Sequence, residues 1–289
     1  MAEIIQKDGT WTFDGDSVRV VPGADKSVSL LRKTLGEVTV PLEALAGVSY
    51  EPGGKRSGRL RLRLRNGADP LLQITGGNLV DGSDPYQLIV ESDRAGVAEY
   101  FVDEVRNALL LDQIPADPID RYLLPGPAVP ITVSAGDGTV SFDGEQIKLS
   151  WNWKTEDSKA SGGARALSLR ELESVEWLPS SGLENGYLRF TVSHSATAAP
   201  PKYDPHAVDL WGFRKDPLMA LVAAAVVARM PHPHAPDRPT PVLTAKGDDG
   251  GADHDALLRR LRELGELHQA GILTDDEFAT AKQAVLKRL

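Results

Sequence analysis

Residues 8–15 read DGTWTFDG and residues 137–144 read DGTVSFDG, with six of eight positions identical at an offset of 129. Downstream, VPLEALAGVSYEP (40–52) lies over LSLRELESVEWLP (167–179). This second match pairs Leu42 with Leu169, Leu45 with Leu172, Val48 with Val175, Tyr50 with Trp177 and Pro52 with Pro179. GRLRLRL (58–64) then lies over GYLRFTV (186–192), and Asp84-Pro85 finds a counterpart in Asp204-Pro205. Matches in one order at nearly constant offset mean a duplication. A solenoid repeats every 20–50 residues or so, so this longer period means tandem domains. Whatever fold one copy adopts, the other must adopt too.

Proline sets the limits of the copies. Half of the 20 prolines fall in two stretches, Pro115 to Pro130 and Pro231 to Pro241. Proline lacks a backbone donor and fixes φ, so neither stretch is a continuous helix or a central strand. Both read as linkers, semi-rigid where proline is dense. The chain thus divides into copy one (1–112), a linker (113–130), copy two (131–230), a second linker (231–251) and a tail (252–289).

Each copy reads as about seven short strands and one closing helix. Ser17–Val21 alternates, and so does Gln146–Trp153, with Ile147, Leu149, Trp151 and Trp153 on one face. Leu60, Leu62 and Leu64 alternate with Arg59, Arg61, Arg63 and Arg65. Gly53-Gly54, Gly76-Gly77 and Gly162-Gly163 read as hairpin turns. The helix of copy one is expected from about Asp93 to Leu111, with Val97, Tyr100, Phe101, Val105, Ala108 and Leu109 on one stripe. That of copy two is expected to start at Asp216-Pro217, an N-cap followed by proline at the first helical position, and to reach Met230. It is apolar nearly all round, so more than one of its faces must be covered. The fold class is mainly β with α: two tandem antiparallel sandwiches or bent barrels, each closed by a C-terminal helix.

The tail reads as a helical hairpin. Leu257, Leu258, Leu261, Leu264 and Leu267 form one stripe, and Gly271 is placed to end that helix. Thr274 and Glu277 form a capping box, flanked by Leu273 and Phe278 at the staple positions. Phe278, Lys282, Val285 and Leu289 continue one face. A hairpin of this size buries too little surface alone. Its apolar face, with Leu258, Leu261, Leu264, Phe278, Val285 and Leu289 as the interface residues, must meet a second copy, the body of the chain or a partner protein.

Composition narrows the chemistry. The chain has no cysteine, which excludes disulfides, Cys-ligated zinc, iron–sulfur clusters and thiol catalysis. Its 32 basic and 41 acidic residues give a net charge of −9, so no general nucleic-acid binding is expected. No signal segment is visible and the longest apolar stretch, Leu218 to Val227, is too short to span a membrane. A cytoplasmic location is therefore expected. His232 and His234 in the second linker lack further ligands at metal-binding spacing. Asp248, Asp249, Asp253 and Asp255 do not follow the order of a calcium loop. No P-loop, G-x-S-x-G, G-x-G-x-x-G or H-E-x-x-H is present, so neither cofactor nor catalysis is expected. Asp8, Asp14, Asp137 and Asp143 recur, but beside glycine, where turn chemistry accounts for them. One local run stands against the acidic background: Lys55, Arg56, Arg59, Arg61, Arg63 and Arg65, with no acid from Pro52 to Ala68. Arginine forks on one strand face suit phosphate or carboxylate. The alternative is a solvated sheet face balanced by neighbouring acids. Trp151, Trp153 and Trp177 enrich copy two in large aromatics, for which core packing is the expected use.

The strand–PLEALAGV–strand element, echoed by LSLRELESV, resembles bacterial pleckstrin-homology-like families. Two such copies followed by a short helical tail resemble an actinobacterial family of tandem domains of unknown function. The tail, on L-x-x-L-x-x-L, Gly271-Ile272-Leu273-Thr274, Glu277-Phe278 and Lys282, resembles the SHOCT (short C-terminal) domain. The resemblance implies paired binding or scaffolding modules with a tail for self-association or partner docking. It brings no active-site motif. Two other functions stay open: a peripheral binder of anionic lipid or another polyanion through the basic strand, and a hydrolase without a recognisable motif.

Overall fold

The computed structural model describes residues 1–53, 57–79, 81–193 and 199–235. Each copy is built from a four-stranded and a three-stranded antiparallel sheet followed by a helix. In copy one, β1 (Ala2–Gln6), β2 (Gly9–Phe13), β3 (Ser17–Pro22) and β4 (Val38–Pro41) form the first sheet in chain order. Helix α1 (Leu30–Leu35) interrupts it between β3 and β4. Strands β5 (Leu45–Glu51), β6 (Gly58–Leu64) and β7 (Gln87–Val90) form the second sheet, with α2 (Pro70–Thr75) between β6 and β7. Helix α3 (Ala95–Leu111) closes the copy against β1 and β5.

Copy two repeats the plan. Strands β8 (Ile131–Ala135), β9 (Gly138–Phe142), β10 (Gln146–Trp151) and β11 (Arg165–Ser168) form its first sheet, with α4 (Asp157–Ala160) before β11. Strands β12 (Leu172–Leu178), β13 (Gly186–Val192) and β14 (Ala207–Leu210) form its second, and α5 (Met219–Val227) follows. The duplicated sequences fall on duplicated structure. Trp11 and Phe13 of β2 point inward, as do Val140 and Phe142 of β9. Both first hairpins carry glycine for the same steric reason. A Cβ on Gly9 would lie 2.6 Å from the Val21 carbonyl oxygen, and one on Gly138 3.0 Å from that of Ser150.

Period-two alternation places the cores. In β6, Leu60, Leu62 and Leu64 are buried while Arg61 and Arg63 are exposed. Both sheets of copy one meet α3 in one apolar cluster, where the Trp11 and Phe101 ring centroids are 6.2 Å apart. The buried face of α3 is Ala98, Phe101, Val102 and Val105, an i, i+3, i+4, i+7 set. Tyr100, placed on that stripe by its spacing, stands beside it and is 52% exposed.

Four details depart from the sequence reading. Strand β10 stops at Trp151, because Asn152 turns the chain: its N–H donates to the Asp137 carbonyl and its side chain accepts from the Lys154 N–H. Trp153 therefore leaves the sheet. Gly76-Gly77 and Gly162-Gly163 end the short helices α2 and α4 rather than form hairpin turns, and Gly76 is the left-handed C-cap of α2. Asp216 begins a 3-10 turn instead of capping α5; its carboxylate accepts from the N–H groups of Gly212 and Phe213 behind it. The first proline-rich stretch is docked on copy one: Ile119 and Leu124 are buried in that core, and their N–H groups donate to the carbonyls of Asn66 and Ala68.

The two copies belong to one compact unit. Helix α5 is buried from Met219 to Val226, which its unbroken apolar character requires. Strands β8, β9 and β12 cover it on one side, and α2 of copy one covers it on another. Leu31 of α1 and Leu71 of α2 are thereby members of the second copy's core. Asp69 caps α2, accepting from the N–H groups of Leu71 and Leu72 and from the Tyr86 hydroxyl at 2.8 Å. Because one core crosses between the copies, they are expected to unfold together. Leu71→Ala should cost about 2–5 kcal/mol and lower a single thermal transition. Two separate calorimetric transitions, with only one moved by the substitution, would contradict this packing.

Candidate functional site

Strand β6 lies between β5 and β7, with Arg59 opposite Glu51, Arg61 opposite Ser49 and Gln87, and Arg63 opposite Gly47. Arg61 donates to the Gln87 side chain at 2.8 Å, and Arg63 to the Ala46 carbonyl at 3.3 Å. A bulge between Leu45 and Gly47 shapes this part of β5. Arg65, just past the strand, takes a different course. Its guanidinium donates to the carbonyls of Asp117 at 2.9 Å and Glu43 at 3.0 Å, clamping the proline-rich stretch to the sheet. Beside the strand runs an open groove of about 900 Å³, with Arg61, Arg63, Arg106, Glu51 and Asp84 in its walls. Arg106 of α3 is held there by the Val48 carbonyl. The structure thus gathers Arg59, Arg61 and Arg63 on one sheet face and diverts Arg65 into a structural clamp. Lys55 and Arg56 lie outside the described residues, as do the interface residues Leu258, Leu261, Leu264, Phe278, Val285 and Leu289 of the tail.

The counterpart of Arg61 in copy two is Arg189, which pairs at 3.0 Å with the buried Asp204 and donates to the Ala199 carbonyl. Asp204 also accepts from the His206 N–H, as Asp84 accepts from the Tyr86 N–H. This arrangement fixes the approach to β14 and uses the arginine internally.

A second polar set recurs, and for Asp8 and Asp137 turn chemistry is not the reason: both carboxylates bind partners far along the chain. Asp8 and Asp137 sit in equivalent first hairpins. Asp8 accepts from the Ile89 N–H of β7, and Asp137 from the Asp209 N–H of β14, so each ties its copy's two sheets together. Each also binds a cation from the helix between the third and fourth strands. Arg32 of α1 lies 2.8 Å from Asp8, and Lys159 of α4 lies 2.6 Å from Asp137. The Lys159 side chain is fully buried, with the Trp151 ring centroid 4.5 Å from its ammonium. Burial pushes the Asp137 carboxyl up and the Lys159 ammonium down, and the contact between them opposes both shifts. Asp14 and Asp143 do serve as turn residues. Each accepts from two following N–H groups, which hold its carboxyl below the ordinary range.

A smaller cavity of about 340 Å³ lies beside the docked proline-rich stretch, walled by Leu35, Val38, Leu71, Leu124, Pro125 and Pro127. Its acids are engaged: Asp69 in the α2 cap, and Glu37 with Arg19 at 2.7 Å. Burial raises the Asp69 carboxyl above its ordinary range, against the pull of its donors. His232 packs edge-on to Tyr122 at 4.5 Å and lies 2.9 Å from the Gly67 carbonyl. Among the described residues no group of three histidines and carboxylates is placed to hold a metal ion, and no helix is long and apolar enough to cross a membrane. The acidic run Asp248 to Asp255 lies outside the described residues. Trp177 is buried in the second core and Trp151 donates to the Gly163 carbonyl, whereas Trp153 is 88% exposed.

Residues 11–106 and 140–227 match the family described as Domain of unknown function (DUF4429), and residues 259–286 match the Short C-terminal domain, SHOCT. No curated protein matches the chain.

The buried pair yields a direct test. Lys159→Met leaves Asp137 buried without its cation and should destabilise the chain by about 3–5 kcal/mol in denaturant unfolding. Adding Asp137→Asn should recover part of that loss. An unchanged midpoint in the single variant would mean that the pair does not stabilise the fold.

Proposed function

The chain belongs to the DUF4429 family, in two tandem copies with a SHOCT domain behind them, and on that premise we propose that it is a non-catalytic binding and scaffold protein. Its copies are read as pleckstrin-homology-like modules. Sheets of four and three strands followed by a helix, in that order twice, support this. One observation carries the non-catalytic reading. The acids common to both copies, Asp8 with Asp137, Asp14 with Asp143 and Asp84 with Asp204, are all engaged with backbone N–H groups of the fold. An enzyme of two catalytic copies would repeat an open set of acids, bases or nucleophiles instead.

The tail is read as the associating element, by the apolar stripe Leu258, Leu261, Leu264, Phe278, Val285 and Leu289. A hairpin that cannot bury its own face gains most from a second copy of itself. Light scattering of the full chain and of a chain ending at Gly251 checks this. The full chain should show the larger subunit number, and equal numbers would remove self-association through the tail.

A second reading rests on the face of β6, where Arg61 and Arg63 are both exposed beside an open groove. Guanidinium groups there suit phosphate-bearing lipid headgroups or another polyanion. If that reading holds, the protein will sediment with vesicles containing anionic lipid at low salt. The Arg61→Ala/Arg63→Ala double variant will then stay in solution. Sedimentation unchanged by the double variant, or none at all, would discard it.

A further inference from the structure

The two copies carry opposite surface chemistry at one equivalent corner. Hydrogen bonds fix the correspondence. The Asn152 N–H donates to the Asp137 carbonyl as the Gly23 N–H donates to that of Asp8. Asp209 donates to the Asp137 carboxylate as Ile89 does to that of Asp8. Trp153 and Lys154 therefore stand where copy one has Ala24 and Asp25, and Trp211 and Phe213 where it has Glu91 and Asp93.

In copy one this corner holds an ammonium with carboxylates. Lys7 lies 3.0 Å from Glu91, and the charges of Asp25 and Asp93 add to the effect of Glu91 in holding its proton more tightly. In copy two rings stand in place of Glu91 and Asp93, and Lys154 in place of Asp25. The Lys154 ammonium stands 5.4 Å from the Trp153 centroid, 5.2 Å from that of Trp211 and 5.3 Å from that of Phe213. Trp211 and Phe213 meet edge to face at 6.0 Å and 87°. The Trp211 indole is braced by Asp209 at 2.7 Å, whose carboxylate also takes the Asn185 amide at 2.9 Å. All three centroids lie within the roughly 6 Å over which a ring quadrupole attracts a cation.

The fold does not require these rings, since copy one does without them. Nor are they core: Trp153 is 88% exposed and Phe213 57% exposed. Large exposed aromatics in a cluster mark an interaction site. This one already contains the group it suits, the Lys154 ammonium on its flexible four-carbon stem. The exposed acids Glu156 and Asp157 lie two and three residues past Lys154. Beside its contact with Tyr203, the charges of Glu156 and Asp209 favour the cationic form of the nearby Lys202, a field that suits a cationic visitor.

We propose that Trp153, Trp211 and Phe213 form an aromatic cage for a lysine side chain on a basic segment of a partner protein, with Lys154 as the internal occupant that the partner displaces. The inference rests on the reading of the chain as a binding module and names the chemistry of its partner. It is tested on the full chain by following the tryptophan indole N–H resonances while adding acetyl-Gly-Lys-Gly-amide. The Trp153 and Trp211 signals should move, and the same peptide with norleucine in place of lysine should leave them still. Lys154→Gln should tighten binding by about fivefold, because the competitor is gone. Phe213→Ala in that background should abolish it with an unchanged circular dichroism spectrum. Equal response to the norleucine peptide, unchanged or weaker binding by Lys154→Gln, or movement with phosphatidylcholine vesicles but not with the peptide would each overturn the proposal. Self-association through the tail is read by particle size, so a silent corner leaves the scaffold reading intact.

Discussion

In each copy one aspartate of the first hairpin links three separate parts of the fold. One carboxylate oxygen of Asp8 or Asp137 reaches the last strand of the opposite sheet, and the other holds a cation from the inserted helix. Two sheets and a helix are thereby fixed by a single side chain. The engagement explains why both a small aspartate and the glycine after it return at the same place. Aspartate reaches the strand without filling the space between sheets, and glycine lets the neighbouring backbone approach. It also explains why the cation is free to differ. Arg32 and Lys159 come from helices of different length, yet each delivers one positive charge to the same carboxylate.

The copies are equal in plan but not in role. Copy one lends α1 and α2 to the core of copy two, while its own helix α3 is amphipathic and keeps one face in solvent. Copy two has given α5 up to burial on several sides. The surface chemistry divides as well: arginines on β6 in copy one, exposed rings after β10 and β14 in copy two. The duplication keeps its framework and diverges at its corners, all within one compact unit.

Much of this was legible in the residues. Alternation in GRLRLRL located β6 and its two faces, and the apolar run after Asp216-Pro217 implied a helix covered on more than one side. The partner covering it was not legible. Leu71 sits in a six-residue helix too short to show a periodicity, so nothing local marked it as part of another copy's core. Trp153 was misplaced because alternation continues past the strand, and only the Asn152 turn ends it. The recurrence of Asp8 and Asp137 was visible, but a carboxylate beside glycine looks like a turn residue until its long-range partners are known. Those partners lie 24 and 22 residues away for the cation and 81 and 72 for the strand N–H. The arginine run likewise looked uniform, and only the position of the proline-rich stretch separates Arg65 from the exposed members.

The burial of α5 beneath α2 has a consequence for how the protein is made. Synthesis runs from the N-terminus, and domains generally fold in that order. Copy one, with α2 in place, is complete before residues 219–227 leave the ribosome. The most apolar segment is thus the last of the described elements to be made, and α2, which covers it, is already synthesised when it emerges.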